Sequence, residues 1–209
     1  MLYSLNPVKA RFLVRAGIGW CTVAGILLAT PQGVNAMVVV KRDFPELVAR
    51  AEQIVVGTVS KITHETDEVG APWTAVTLSD LYVLKGDAGA VLTLRFYGGA
   101  TGDVAVHIPD MPSFTVGERD VLFVAGTGRD ICPLVGIFQG RFHVRFDRER
   151  RRDIVEASDG APVLGRAGRE LRRGSVGQDG AATPLTLDGF LELVASELAH
   201  PSGGAGVAR

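Results

Sequence analysis

Cysteine is almost missing from this chain: two occur in 209 residues, Cys21 and Cys132. Cys21 falls in an N-terminal segment with the marks of an export signal, which leaves Cys132 alone after cleavage. One cysteine makes no internal disulfide, so an exported chain of this kind must rest on a hydrophobic core. Cys132 either pairs with another chain or packs as a small apolar residue beside Pro133. The compact catalytic signatures are missing too. There is no HExxH, no CxxC, no GxSxG and no glycine-rich phosphate loop with its lysine. Gly98-Gly99-Ala100-Thr101-Gly102 lacks the Lys-Ser/Thr pair and does not lead into a helix.

The histidines His64, His107, His143 and His200 stand singly. His64, Glu65 and Asp67 share a polar loop, but nothing in their spacing fixes a ligand geometry. Ser113 has no histidine or acid set beside it by local spacing. These absences point away from an enzyme and predict no metal and no cofactor. The opposing reading is a metal-dependent envelope hydrolase, with His107 or His143 joined by acids brought near on folding. A purely structural cell-surface module is a third option.

A long apolar run is also wanting. Ala16 to Ala29 is apolar but shorter than the ~20 residues a membrane span needs. It follows the basic residues Lys9, Arg11 and Arg15, and it precedes the small-residue site Val34-Asn35-Ala36. That order predicts a cleaved signal peptide over 1–36, a secreted or periplasmic protein, and no stable membrane insertion after cleavage. Cleavage removes three of the 22 basic residues and none of the 23 acidic ones, which leaves a formal net charge of −4. An acidic balance argues against a nucleic-acid binder.

What is present is mostly strand. Asp43-Phe44-Pro45-Glu46 reads as a capping box with proline in the first turn, opening a short helix. Ile54-Val55-Val56-Gly57-Thr58-Val59 is a β-branched strand whose glycine marks a bulge or a close approach. Further strands are predicted around 73–84, 91–97, 104–108, 120–125 and 154–157. The glycine-containing turn at 85–89 makes an antiparallel pair of the second and third. In 141–146, Phe142, Val144 and Phe146 are expected inward and Arg141, His143 and Arg145 outward. Asp147 to Asp153 reads as a solvated hairpin tip. Residues 158–184, rich in Gly, Ala, Arg and Ser, read as a flexible linker or long loop. A helix over 185–200 carries the stripe Leu187, Phe190, Leu191, Val194 and Leu198, with Glu192 and Glu197 on its outer face. Residues 201–209 read as a disordered tail.

Three pieces are more specified than packing requires: Gly98-Gly99, the run 111–118 with Met111, Pro112, Phe114 and Glu118, and Gln139-Gly140. Each suits turn chemistry. Gathered at one end of a scaffold, they would form a binding surface, since recognition residues concentrate on loops.

The run Ala51-Glu52-Gln53-Ile54-Val55-Val56-Gly57-Thr58-Val59, followed by Leu81-Tyr82-Val83-Leu84-Lys85-Gly86, carries two resemblances. With Gly98-Gly99, the 112–118 run and Gln139-Gly140 in this order, it resembles a family of exported, uncharacterised bacterial β-barrel proteins over residues 43–146. More weakly it is similar to the netrin-like module of tissue inhibitors of metalloproteinases. That second resemblance implies an OB-type barrel and protease inhibition. Those inhibitors chelate the protease zinc through an N-terminal cysteine and carry several disulfides. Met37 follows the expected cleavage site here, so their zinc-chelating mechanism is not carried over.

The expected architecture is therefore mainly β: a Greek-key, OB-like antiparallel barrel over 37–157, with a short N-terminal helix and a C-terminal helix. The expected role is a non-enzymatic binding protein whose partner is an extracytoplasmic protein, a metalloprotease among the candidates.

Overall fold

The computed structural model describes residues 40–102, 104–126, 130–175 and 183–202. The segment read as a signal peptide lies outside them, as do 176–182 and most of the tail. No helix among the described residues is long and apolar enough to cross a membrane.

The first helix, α1 (Phe44–Arg50), begins as its sequence demands. The Asp43 side chain accepts from the Glu46 N–H at 2.9 Å, and Glu46 reaches back to the Asp43 N–H. Its far end is closed from a distance. Lys85 Nζ donates to the carbonyls of Val48 and Ala49, which a helix of two turns leaves unpaired.

Two long strands follow, β1 (Gln53–Thr66) and β2 (Pro72–Lys85), then β3 (Leu92–Tyr97). A small hairpin, β4 (Gly99–Thr101) with β5 (Val104–Val106), comes next. The chain then returns as β6 (Arg119–Val124) beside β1 and continues through β7 (Arg141–Asp147) and β8 (Arg152–Ala157). The order is β3-β2-β1-β6-β7-β8, and every pairing is antiparallel. Three hairpin-linked strands with a fourth returning beside the first make a Greek-key connection. β1 slips register against β2 at three places, one of them at Gly57, where a Cβ would meet Leu81 Cδ2 at 2.7 Å and Leu78 Cβ at 3.2 Å.

No sheet among the described residues closes into a barrel, which corrects the expectation of closure. Each edge of the sheet meets a loop instead of the other edge. The Tyr97 N–H donates to the Ile131 carbonyl at the β3 edge, and the Val155 N–H donates to the Leu185 carbonyl at the β8 edge. Edges satisfied in this way have no need of each other.

Successive β1 side chains feed opposite faces, so the sheet has two cores. Ile54 and Val56 join Phe123, Phe142 and Val155 under α1 and α2 (Leu187–Ala199). Val55 and Val59 join Val76, Leu78, Leu94 and Phe96 on the other face, beneath loops carrying Met111, Phe114, Cys132 and Leu134. Phe190 of α2 is the hub of the first core. Its ring centre lies 4.9 Å from that of Phe142, 6.1 Å from that of Phe44 and 6.5 Å from that of Phe123.

Three sequence readings change. Within 158–184, read as a linker, the chain forms a hairpin of β9 (Val163–Ala167) and β10 (Glu170–Arg173). The hairpin ties the helices together: Arg169 in its turn bonds Asp43 at 2.6 Å, and Arg166 of β9 bonds Glu197 at 2.7 Å. Glu197 is consequently buried, not on an outer face, and it also accepts from the Ser202 N–H and hydroxyl. In β7, Arg141 is buried and Phe146 is exposed, the reverse of the alternation reading. β6 pairs with β7 only as far as Val144, so Phe146 rides on a two-stranded tip and is largely exposed.

Replacing Phe190 by Ala should cost about 3–5 kcal/mol in a urea denaturation at neutral pH, the usual cost of emptying a core ring site. The knot around Asp43 and Glu197 predicts acid sensitivity. Burial pushes both carboxyls upward, but it is outweighed by Arg169 and the Glu46 N–H for Asp43, and by Ser202 and Arg166 for Glu197. Both therefore titrate below their ordinary values of 3.8 and 4.5. The folded state binds fewer protons than the unfolded one in this range. The stabilisation is full above those ordinary values and disappears as pH falls through the lower folded ones. Melting temperature should drop on acidification below about pH 4, and Glu197→Gln should flatten that drop; an unchanged slope in the variant would remove Glu197 from the account.

Candidate functional site

The recess that collects most of the singled-out residues lies where β3 gives way to the β4–β5 hairpin. Gly98 and Gly99 make the turn with φ of +104° and +118°, a region open mainly to glycine. Gly99 has a second reason to lack a side chain. A Cβ there would fall 2.5 Å from Thr74 Oγ1 and 3.0 Å from His64 Nδ1. Thr74 Oγ1 donates to the Gly98 carbonyl at 2.9 Å and lies 3.2 Å from His64 Nδ1, so the glycines press against a small polar pair at the β1–β2 end.

The opposite wall is the loop before β6. Its ring, Phe114, is held on two sides. The Phe96 ring lies 5.0 Å away centre to centre, and the Arg141 guanidinium carbon sits 3.9 Å from the Phe114 ring centre. Arg141 is only 4 % exposed. Its Nε and Nη2 reach Asp120 Oδ2 at 3.2 and 3.0 Å, Nη2 also reaches Glu118 Oε2 at 2.9 Å, and Nη1 donates to the Ser113 carbonyl. Glu118 in turn accepts from the Thr115 N–H at 2.8 Å. Asp120 is fully buried, and His143 Nδ1 lies 2.8 Å from its Oδ1 without a formed hydrogen bond. Asp120 and His143 face each other across β6 and β7, which explains why both side chains emerge on one side of the sheet.

Between these walls is a cleft of about 420 Å3. Ile62, Phe96, Ile108, Met111 and Phe114 supply its apolar surface, and His64, Tyr97 and His107 its polar points. Among the described residues no carboxylate lines it, and no three His, Cys, Asp or Glu side chains stand in metal-ligand geometry. The arrangement suits reception of an apolar group with a few directing hydrogen bonds.

Of the residues singled out from sequence, Gly98, Gly99, Met111, Pro112 and Phe114 surround this cleft. Glu118 stands behind its wall, bonded to Arg141. Gln139 and Gly140 lie elsewhere. Gln139 Nε2 donates to the Val40 carbonyl and its Oε1 accepts from the Arg42 N–H, which fastens the chain ahead of α1. Gly140 leaves no room for a Cβ, which would fall 2.6 Å from the Val135 carbonyl oxygen. Sequence reasoning missed Asp120 and Arg141. A lone aspartate opening a run as apolar as Val121-Leu122-Phe123-Val124 was the available signal, since a carboxylate buried there requires a cation. Cys132 is buried and free. Burial pushes its thiol up to about 11 against a backbone hydrogen bond to Leu134, with Asp130 adding to the rise.

Among known proteins, no family model, no curated protein sequence and no solved structure matches the chain significantly.

Arg141→Met should destabilise the protein by about 3–5 kcal/mol, because it strands the Asp120 carboxylate in the interior. Urea midpoints of the variant and the parent measure this; a loss under ~1 kcal/mol, as for a surface pair, would show that the buried network contributes little.

Proposed function

We propose that this chain is an exported, non-enzymatic binding protein that takes an apolar segment of an extracytoplasmic protein into the cleft beside Phe114. The observation that carries the reading is the convergence of Gly98, Gly99, Met111, Pro112 and Phe114 on that cleft. A ring fixed between Phe96 and Arg141 is already ordered before a partner arrives, so little conformational freedom is lost on binding. Anchors of this sort, aromatic and set in a recess, carry much of the affinity at protein interfaces. The netrin-like resemblance puts secreted metalloproteases first among partners to try. The OB-type relationship enters in a loosened form, as the β1–β2–β3 meander with β6 beside β1, left open at both edges.

A second reading, the metal-dependent envelope hydrolase, draws on His143 beside the buried Asp120. A histidine held by a carboxylate is the orienting half of many catalytic groups. Metal content separates the two readings: stoichiometric metal after purification, with turnover lost in His143→Ala, selects the hydrolase.

Incubation with a panel of secreted metalloproteases should yield a complex or inhibition for at least one member. Met111→Glu, which sets a charge in the cleft, should weaken it about tenfold or more while leaving the circular-dichroism spectrum unchanged. Absence of any complex or inhibition across the panel removes the protease partner, and indifference to Met111→Glu removes the cleft.

A further inference from the structure

A second recess lies on the helix-bearing face and shares no lining residue with the cleft. It is bounded by the segment Lys41-Arg42, α1, the turn before β7, the end of β8, and β10. Its apolar surface comes from Phe44, Leu47, Phe138, Phe142 and Leu171. Four cations line it, Lys41, Arg42, Arg141 and Arg173, against Glu170 alone, but the Arg141 guanidinium is turned to Asp120 and Phe114 on the opposite face.

These cations differ in how firmly they are engaged. Arg141 is committed to Asp120 and Glu118. Lys41 meets Glu170 and Arg173 meets Asp159, in pairs whose side chains are about half exposed or more, where such contacts contribute little. Arg42 is half-buried and has no carboxylate partner among the described residues. Its backbone is anchored at the rim of the recess, because its N–H donates to Gln139 Oε1 at 2.8 Å. A half-buried guanidinium lining a recess without an anion is a receptor for one, since its fork matches a carboxylate in two parallel hydrogen bonds.

We propose that this recess binds small organic carboxylates, the acid group on Arg42 and a hydrocarbon or aromatic body against the half-buried Phe138 and Leu171. The cavity measures about 270 Å3. A dry cavity of roughly 150 Å3 accommodates benzene, so this one takes about ten non-hydrogen atoms. That is the size of octanoate or 3-phenylpropanoate. A longer chain emerges past Leu171 into solvent, and a cationic body is repelled by Lys41, Arg42 and Arg173.

Calorimetric titration of the full chain with octanoate and with 3-phenylpropanoate tests the proposal, with octylamine as the cationic counterpart. The expected result is saturable one-to-one binding of at least one carboxylate and none of the amine. Arg42→Gln keeps the backbone bond to Gln139 and should weaken binding about tenfold. Leu171→Trp, which fills the recess, should abolish it, whereas Met111→Glu in the separate cleft should leave it intact. Three outcomes overturn the assignment: no saturable binding of either carboxylate, equal affinity for octylamine, or affinity unchanged in a folded Arg42→Gln or Leu171→Trp protein.

Discussion

The Arg141 guanidinium joins two strands and a loop of this protein. It pairs with Asp120 across neighbouring strands, reaches Glu118 at the strand entrance, takes the Ser113 carbonyl, and lies over the Phe114 ring. A buried ion pair is a poor stabiliser when compared with well-packed apolar residues, because both charges are desolvated. What it supplies here is position. An apolar residue at 141 would fill the space but would impose no direction on the loop from Ser113 to Glu118. With the arginine in place, each of the remaining lone pairs and protons selects one loop conformation. The cleft wall is thus a consequence of electrostatics inside the sheet, transmitted through one planar group.

The parts of this fold visible in the sequence are those decided within a few residues. The α1 capping box, the Gly57 irregularity, the turn between β2 and β3, and the charged tip between β7 and β8 all follow from local chemistry. The failures share a different property. Alternation and polarity agree in pointing Arg141 outward, yet its partners Asp120 and Glu118 arrive from more than twenty positions away. Glu197 falls opposite the apolar stripe of α2 and so reads as outward, yet its partner Arg166 sits 31 positions upstream. Phe146 was assigned inward because periodicity carries no information about where a neighbouring strand stops. Period tells which side of an element a residue takes; it does not tell whether that side is covered, or by what.

The same distinction sorts the motif residues. Lys85 and Gly86 looked like a signature, and both prove to be geometry. Lys85 caps α1, and a Cβ at Gly86 would fall 2.5 Å from the Glu52 carbonyl oxygen. Gly117 takes φ of +93°, and its N–H donates to the Val59 carbonyl, which seats the loop end on β1. Gln139 and Gly140 hold the approach to α1 and the bend into β7. After these are explained by structure, Met111, Pro112 and Phe114 remain. Packing accounts for the burial of one side of the Phe114 ring, but not for leaving a recess beside it. A motif residue with a complete structural reason says nothing further about function, so the weight of a functional reading falls on the residues without one.

Opening the sheet is what makes both recesses available. In a closed barrel, β3 and β8 would have to approach, and the interior face carrying Phe96 and Leu122 would be sealed by strands. Here the loops around Ile131 and Leu185 satisfy the two edges, and the faces are covered separately: by the irregular 108–118 and 131–137 loops on one side, and on the other by α1, α2 and the β9–β10 hairpin with the irregular segment 40–42 at their edge. Irregular chain does not tile a sheet as completely as strands or helices do, because its backbone must find partners one at a time. The gaps it leaves fall at the margins of its anchoring contacts. Arg141 anchors one cover, with the Phe114 cleft at its margin. Gln139 fastens the segment 40–42 under another, with the Arg42 recess at its margin. Gln139 in the turn before β7 and Arg141 at the start of β7 thus hold two covers on opposite faces, and the recess geometry on each side depends on how that turn enters β7.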